Sequence, residues 1–168
     1  MTLHKDLLEQ ARYLARRDKK RPKQANLRRA VSAAYYALFH LLVEDGAKAI
    51  RPSAVRDQVR RLYEHGSMKA VCKAWAQGAA ANLPASTGAL VTAPIERELS
   101  DVASAFVRLQ NARHAADYDL ARTFNRLYSV SLLGAAEQAF RDWNAIRATP
   151  NAAVFLASLL FEKQWKGR

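Results

Sequence analysis

The residues best suited to chemistry stand between Arg113 and Asp119, in the run RHAADYD. If this run is helical, Arg113 faces Asp117 and His114 faces Tyr118, because side chains four positions apart share a helix face. The planar guanidinium of Arg113 can hold and neutralise a phosphate, and His114 can act as an acid or a base near neutral pH. The run therefore contains the residue types needed to bind a phosphodiester and to move a proton.

The same residues also have a purely structural interpretation. Arg113 and Asp117 would form an ordinary helix ion pair, worth about 0.3–0.5 kcal/mol, and Asp119 would cap the following helix. Because structural ion pairs are common, residue types alone favour this interpretation over a catalytic one.

The sequence contains none of the usual motifs for a metal or a nucleotide cofactor. Its histidines are scattered, with no pair four residues apart and no companion cysteine: His4, His40, His65 and His114. It has no glycine-rich phosphate loop and no serine in a nucleophile-elbow context. We therefore expect no metal site and no cofactor.

Basic residues are in large excess and are unevenly spread. The chain has 27 lysines and arginines against 15 acidic residues, a formal net charge of +12, which attracts polyanions. The basic stretch between Arg12 and Arg29 contains one acid, Asp18. Such a stretch is typical either of solvated helix faces or of a nucleic-acid contact. The predicted nucleic-acid-binding residues are Arg16, Arg17, Lys19, Lys20, Arg21, Lys23, Arg28 and Arg29. A smaller basic group follows at Arg51, Arg56, Arg60, Arg61, Lys69 and Lys73.

The stretch from Leu27 to Val43 predicts the central helix. Its apolar residues recur at steps of four and three, forming one stripe: Leu27, Val31, Ala34, Leu38 and Leu41. Tyr36 and His40 fall roughly opposite this stripe. A helix that is apolar or aromatic nearly all round must bury both sides, so we expect one face in the chain's own core and the other against a partner.

Helical periodicity also covers most of the remaining chain, and no segment alternates with period two. We predict a first helix over residues 2 to about 20 and a third helix that Ser53 caps and Gly66 interrupts. A long loop follows over residues 82–94. After it come helices carrying Ile95–Leu109 and Phe124–Trp143, and a short last helix around Phe155–Leu160. We predict an all-α fold, an antiparallel up-and-down bundle of four to five main helices plus a short C-terminal helix. Residues 1–168 form a single domain in this prediction, with residues 149–168 as a C-terminal helical extension.

Composition also suggests a compartment. The first ten residues contain no apolar run suited to a signal peptide, and the longest apolar stretch, Ala152–Phe161, is much shorter than the roughly 20 residues of a membrane helix. A single cysteine, Cys72, suits a reducing environment. We predict a cytoplasmic protein with no membrane contact.

Two stretches resemble the HEPN domain family (higher eukaryotes and prokaryotes nucleotide-binding). They are LRRAVSAAYYALFH, residues 27–40, and RHAADYD, residues 113–119. The resemblance covers most of residues 1–147 and implies a HEPN-like bundle of four or five helices that forms a homodimer. Many members of the family are metal-independent RNases or toxins, often encoded beside a minimal nucleotidyltransferase antitoxin.

The resemblance makes Arg113 the motif arginine of such RNases. In the family a histidine follows this arginine after four to six residues, whereas here Tyr118 stands five residues on, in an ADYD run similar to a non-RNase branch. The missing histidine favours a nucleic-acid or nucleotide-binding module of toxin–antitoxin or stress and defence type. Such a module would bind through a dimer cleft containing Tyr36 and His40 and through the basic surface.

Two alternatives remain open. In the first, the chain is a metal-independent RNase toxin that cleaves RNA with Arg113 and with His114 or Tyr118 as the proton-transfer group. In the second, it binds only another protein, such as the other half of a toxin–antitoxin pair. The compact run at residues 113–119 supports the first of these.

Overall fold

The computed structural model describes the backbone of residues 2–166 and the side chains of residues 2–161. All regular elements in these residues are helical, which confirms the all-α prediction. The α-helices are α1 (Leu3–Arg16), α2 (Gln24–Lys48), α3 (Arg56–Leu62), α4 (His65–Trp75), α5 (Ala85–Gly88), α6 (Arg97–Tyr118), α7 (Arg126–Ile146) and α8 (Pro150–Lys166). Short 3-10 turns occur at Ser53–Val55 and Ala80–Asn82.

The chain divides into two compact units, each containing segments of α2, α6 and α7. Unit 1 comprises residues 1–41 and 105–140, and unit 2 comprises residues 42–104 and 141–168. Of the residues 1–168 that we predicted as one domain, residues 1, 167 and 168 lie outside those described. The predicted extension, 149–168, corresponds to α8, which is 17 residues long rather than short.

The core of unit 1 is built on the predicted stripe of α2. Leu27, Val31, Ala34 and Leu38 are buried there, as the helical periodicity indicated. The ring of Tyr35 is also fully buried and meets Phe106 of α6 edge-on, with 5.5 Å between ring centroids. Such edge-to-face pairs add to the apolar burial and fix α2 against α6 within this unit.

Unit 2 has an aromatic core. Trp75 of α4 and Trp143 of α7 are buried, and each ring lies against Phe155 of α8, with centroids 5.3 and 6.1 Å apart. The indole Nε1 of Trp143 donates a 2.7 Å hydrogen bond to the buried carboxylate of Asp45. Arg147 donates to the same carboxylate at 3.0 Å, so this buried charge is paired.

Several predicted helix ends in unit 2 were wrong. Ser53 lies inside a 3-10 turn and does not cap α3, which begins at Arg56. The break before α4 is the extended backbone at Tyr63 and Glu64, whereas Gly66 is the second residue of α4. A glycine costs a helix only about 1 kcal/mol relative to alanine, so packing can place it inside one. The predicted loop, residues 82–94, includes α5.

Two ends in unit 1 also differ from the prediction. The first helix ends at Arg16, not near residue 20. Asp119 does not cap α7: its Oδ1 accepts bonds from the N–H groups of Ala121 and Arg122 in a turn. Asn125 has the capping role, since its Oδ1 accepts a 2.8 Å bond from the N–H of Tyr128.

Candidate functional site

A polar cluster joins α2 to the last two turns of α6 inside unit 1. Ser32 Oγ donates a 2.6 Å hydrogen bond to Oδ1 of Asp117. The other carboxylate oxygen, Oδ2, lies 2.7 Å from Nε of Arg113, which is the ion pair expected from their spacing of four residues. Arg113 Nη2 donates a 2.7 Å bond to the hydroxyl of Tyr36. The predicted cleft residue Tyr36 and the predicted motif arginine therefore belong to one cluster.

The guanidinium of Arg113 is enclosed by aromatic rings as well as by its polar partners. Its central carbon lies 5.3 Å from the ring centroid of Tyr36 and 5.5 Å from that of Tyr118, within cation–π range. Burial opposes the charged form, but the interactions with Tyr36 and Asp117 outweigh it and raise the pKa of Arg113 above its usual value. Arg113 is thus a fixed cation, ion-paired with Asp117 and bonded to Tyr36 through Nη2, while its buried Nε makes no hydrogen bond of acceptable geometry within the described residues.

The other members of the predicted site lie at the edge of this cluster. The rings of His114 and Tyr118 are neighbours, with centroids 5.1 Å apart. His114 is exposed, and 64% of Tyr118 is accessible to solvent. On α2, His40 is half-buried and its ring is stacked on that of Tyr36, with centroids 6.2 Å apart.

An open groove of about 600 Å³ lies beside the cluster in unit 1. One wall is the first turns of α2, with Arg28 and Arg29, and the other is the end of α6 and the turn after it, with Tyr118, Leu120 and Arg122. Leu120 is 88% exposed. This volume is in the range of pockets that enclose a small ligand.

The two neighbouring arginines of α2 have different roles. Arg28 donates to the main-chain oxygens of Ala116, Asp119 and Arg122, so its charge stabilises the C-terminal end of α6. Arg29 is exposed, and its side chain has no hydrogen bond or ion pair within the described residues. Of this predicted nucleic-acid-binding pair, only Arg29 can therefore offer its guanidinium to a ligand without giving up an internal contact.

The basic connector between α1 and α2 has a fixed backbone. Asp18 Oδ2 accepts bonds from the N–H of Lys23, at 2.9 Å, and from Asn26 Nδ2, at 2.7 Å. These two bonds lower the pKa of Asp18. Arg126, at the start of α7, donates to the main-chain oxygens of Asp18 and Lys19. The connector is thereby tied to α2 and to α7.

The predicted basic residues of this region point into solvent. Seven of them are exposed: Arg16, Arg17, Lys19, Lys20, Arg21, Lys23 and Arg29. The guanidinium of Arg17 lies 5.8 Å from the ring centroid of Tyr13. Apart from this contact and the main-chain bonds of the connector, their charges face water.

Sequence reasoning missed several residues that shape the groove. The side-chain amide of Gln24 makes two hydrogen bonds with the backbone of Phe124: Nε2 donates to the carbonyl oxygen at 2.7 Å, and Oε1 accepts from the N–H at 2.8 Å. These bonds tie the start of α2 to the turn after α6. Arg122 has its guanidinium 5.3 Å from the Phe124 ring and donates a 3.3 Å bond to the Tyr128 hydroxyl. The only sequence signal for Arg122 was a basic residue close to aromatic ones.

The described residues show neither a metal-binding cluster nor a membrane-spanning helix. No group of three or more histidine, cysteine or carboxylate side chains that could hold a metal ion occurs among them. No helix in the described part of the chain is long and apolar enough to span a membrane. Comparison with known proteins gave no match among protein-family models, curated proteins or solved structures.

Proposed function

We propose that this chain is a HEPN-like module that binds RNA in the groove of unit 1. The observation that carries the proposal is that Arg29 and Arg122 line this groove together with the exposed ring of Tyr118. Guanidinium groups recognise phosphates through paired donors, and exposed aromatic rings stack on unpaired bases. Phosphate and base contacts are thus available side by side.

The exposed ring favours an unpaired strand over a duplex. Bases in a duplex are stacked on each other and cannot lie on a side chain, whereas a splayed base can stack on Tyr118. Leu120, in the same groove, offers apolar surface to the edge of such a base. The formal charge of +12 supplies long-range attraction for any nucleic acid. The groove would then favour an unpaired strand over a duplex.

The proposal includes a homodimer of the toxin–antitoxin or stress and defence type. Tyr36 and His40 are half-buried within one chain, and a second copy packed on this face of α2 would complete their burial. In that arrangement the polar cluster of each copy lies close to the dimer cleft, and a nucleotidyltransferase antitoxin would be the companion.

Metal-independent RNA cleavage has less support than binding. The arginine that would stabilise the transition state already faces Asp117 and donates to Tyr36, and no described histidine stands five residues after it. The observation in favour of cleavage is the exposed His114 beside Tyr118, which could exchange a proton with a bound strand.

The test is a binding titration with a fluorescent single-stranded RNA at several salt concentrations. We expect binding that weakens with salt, a roughly tenfold loss in Arg29→Ala, and retention in Tyr118→Phe but loss in Tyr118→Ala. The matched control is Arg97→Ala in unit 2. The Arg97 side chain is 91% exposed, and its substitution removes one positive charge, as Arg29→Ala does.

Gel analysis of the same RNA, with and without EDTA, separates binding from cleavage. Intact RNA supports the binding module, whereas cleavage that persists in EDTA and disappears in Arg113→Ala establishes the RNase. Absence of RNA binding at low salt, or equal losses in Arg29→Ala and Arg97→Ala, would refute the groove as the site.

A further inference from the structure

The groove alone has room for only a short piece of nucleic acid. Its volume of about 600 Å³ matches a small-ligand pocket, so a longer strand must continue over the neighbouring surface. The surface next to the groove therefore decides whether the ligand is a single nucleotide or a chain of nucleotides.

The basic connector precedes one wall of the groove in the chain and is bonded to the helix that follows the other wall. Gln24, which lines one wall, follows the connector directly in the chain. Arg126, which holds the connector through the main-chain oxygens of Asp18 and Lys19, comes three residues after Thr123 of the other wall. The connector therefore joins one wall of the groove along the chain at Gln24, and Arg126 bonds it to the start of α7, just after the other wall.

The connector presents three consecutive cations on a backbone that is already fixed. Lys19, Lys20 and Arg21 are exposed, and their side chains have no hydrogen bond or ion pair within the described residues. The one acid of the connector, Asp18, is occupied by the N–H of Lys23 and by Asn26. Three cations on an ordered backbone can contact successive phosphates without first ordering the loop.

Resting on the proposed function, we infer that the ligand is a single-stranded polynucleotide that runs out of the groove and along Lys19, Lys20 and Arg21. The groove holds an unpaired base against Tyr118, and the connector holds the phosphates that follow. A free mononucleotide occupies the groove without reaching the connector, so it is not the full ligand.

The test compares two single-stranded RNAs, of about four and about 16 nucleotides, which span the site sizes of compact single-strand-binding folds. The longer strand gains affinity from its many overlapping registers, so length alone proves nothing. The decisive protein is the triple variant Lys19→Ala, Lys20→Ala, Arg21→Ala. The control is Arg51→Ala, Arg61→Ala, Lys73→Ala, which removes three exposed charges from unit 2.

We expect the connector variant to lose roughly tenfold in affinity for the longer RNA and to bind the shorter one as the wild type does. Its slope of log affinity against log salt should fall by about 2, at about 0.7 per phosphate contact in single strands. The control should keep the wild-type slope. Thermal melting followed by circular dichroism checks that all three proteins fold alike.

Two results would overturn the inference while leaving the proposed function intact. One is equal weakening by the connector and control variants, which would show that only net charge matters. The other is an unchanged affinity of the connector variant for the longer RNA. If the wild type binds neither RNA, the proposed function itself fails and the inference fails with it.

Discussion

Gly46, near the C-terminal end of α2, faces Tyr63 in unit 2 at unusually short range. A Cβ atom placed on Gly46 would lie 2.0 Å from the Tyr63 hydroxyl oxygen and 3.0 Å from Cζ of the same ring. Only 7% of Tyr63 is exposed, and its ring is a rigid body. To restore an ordinary carbon–oxygen contact distance, the buried ring would have to move by more than 1 Å in Gly46→Ala.

Two opposing contributions determine the change in the free energy of unfolding. Alanine is favoured over glycine inside a helix by about 0.8–1.0 kcal/mol. Overpacking a filled core costs about 1–3 kcal/mol, and an overlap of this size belongs in the upper part of that range. We expect Gly46→Ala to lower the free energy of unfolding by about 1–2 kcal/mol.

A double-mutant cycle isolates the contact. Tyr63→Phe removes the oxygen and leaves the ring carbons Cζ at 3.0 Å and Cε1 at 3.7 Å, an overlap that a shift of a few tenths of an ångström relieves, so alanine at position 46 should become neutral or slightly stabilising in this background. The expected coupling between the two positions is about 1–2 kcal/mol. Urea denaturation followed by circular dichroism measures all four proteins, with the denaturant slope checked for constancy.

Either of two outcomes would show the reasoning to be wrong. Gly46→Ala could stabilise the wild-type background by the full helix-propensity term, which would mean that the ring moves at no cost. Alternatively, the alanine could have the same effect with tyrosine and with phenylalanine, which would place the strain elsewhere.

Three further predictions concern the same protein. Burial raises the pKa of Tyr63 to about 12, so as pH rises the unfolded chain loses the phenol proton before the folded protein does. The free energy of unfolding should therefore fall by about 2–3 kcal/mol between about pH 10 and pH 12. In alkaline denaturation, Tyr63→Phe should lack this decrease of about 2–3 kcal/mol. Arg28→Ala should lower the free energy of unfolding, measured by urea denaturation, by about 2 kcal/mol, because it loses the hydrogen bonds to the end of α6. Arg29→Ala should lower it by less than about 0.5 kcal/mol. Equal decreases would contradict the different roles of the two arginines. Tyr36→Glu should elute as a monomer in size-exclusion chromatography while Tyr36→Phe elutes as a dimer, and identical elution of the two would count against the proposed interface.

The local part of the candidate site could be predicted from the sequence because helical geometry alone decides it. Arg113 meets Asp117, and His114 meets Tyr118, since residues four apart share a helix face. The apolar stripe of α2 was predicted for the same reason. Helix ends were less predictable: Asn125 took the capping role expected of Asp119, because either side chain can bond to nearby N–H groups.

The sequence by itself determined that the chain is helical, strongly basic and supplied with an arginine, a histidine and a tyrosine at one helix end. Tertiary structure alone joined Ser32 to Asp117, 85 positions away, and Tyr36 to Arg113, 77 positions away. It also decided that Arg28 stabilises the end of α6 while Arg29 faces the groove. The physical reason is that an arginine's role depends on which oxygens packing brings within reach of its donors, and no local spacing encodes that.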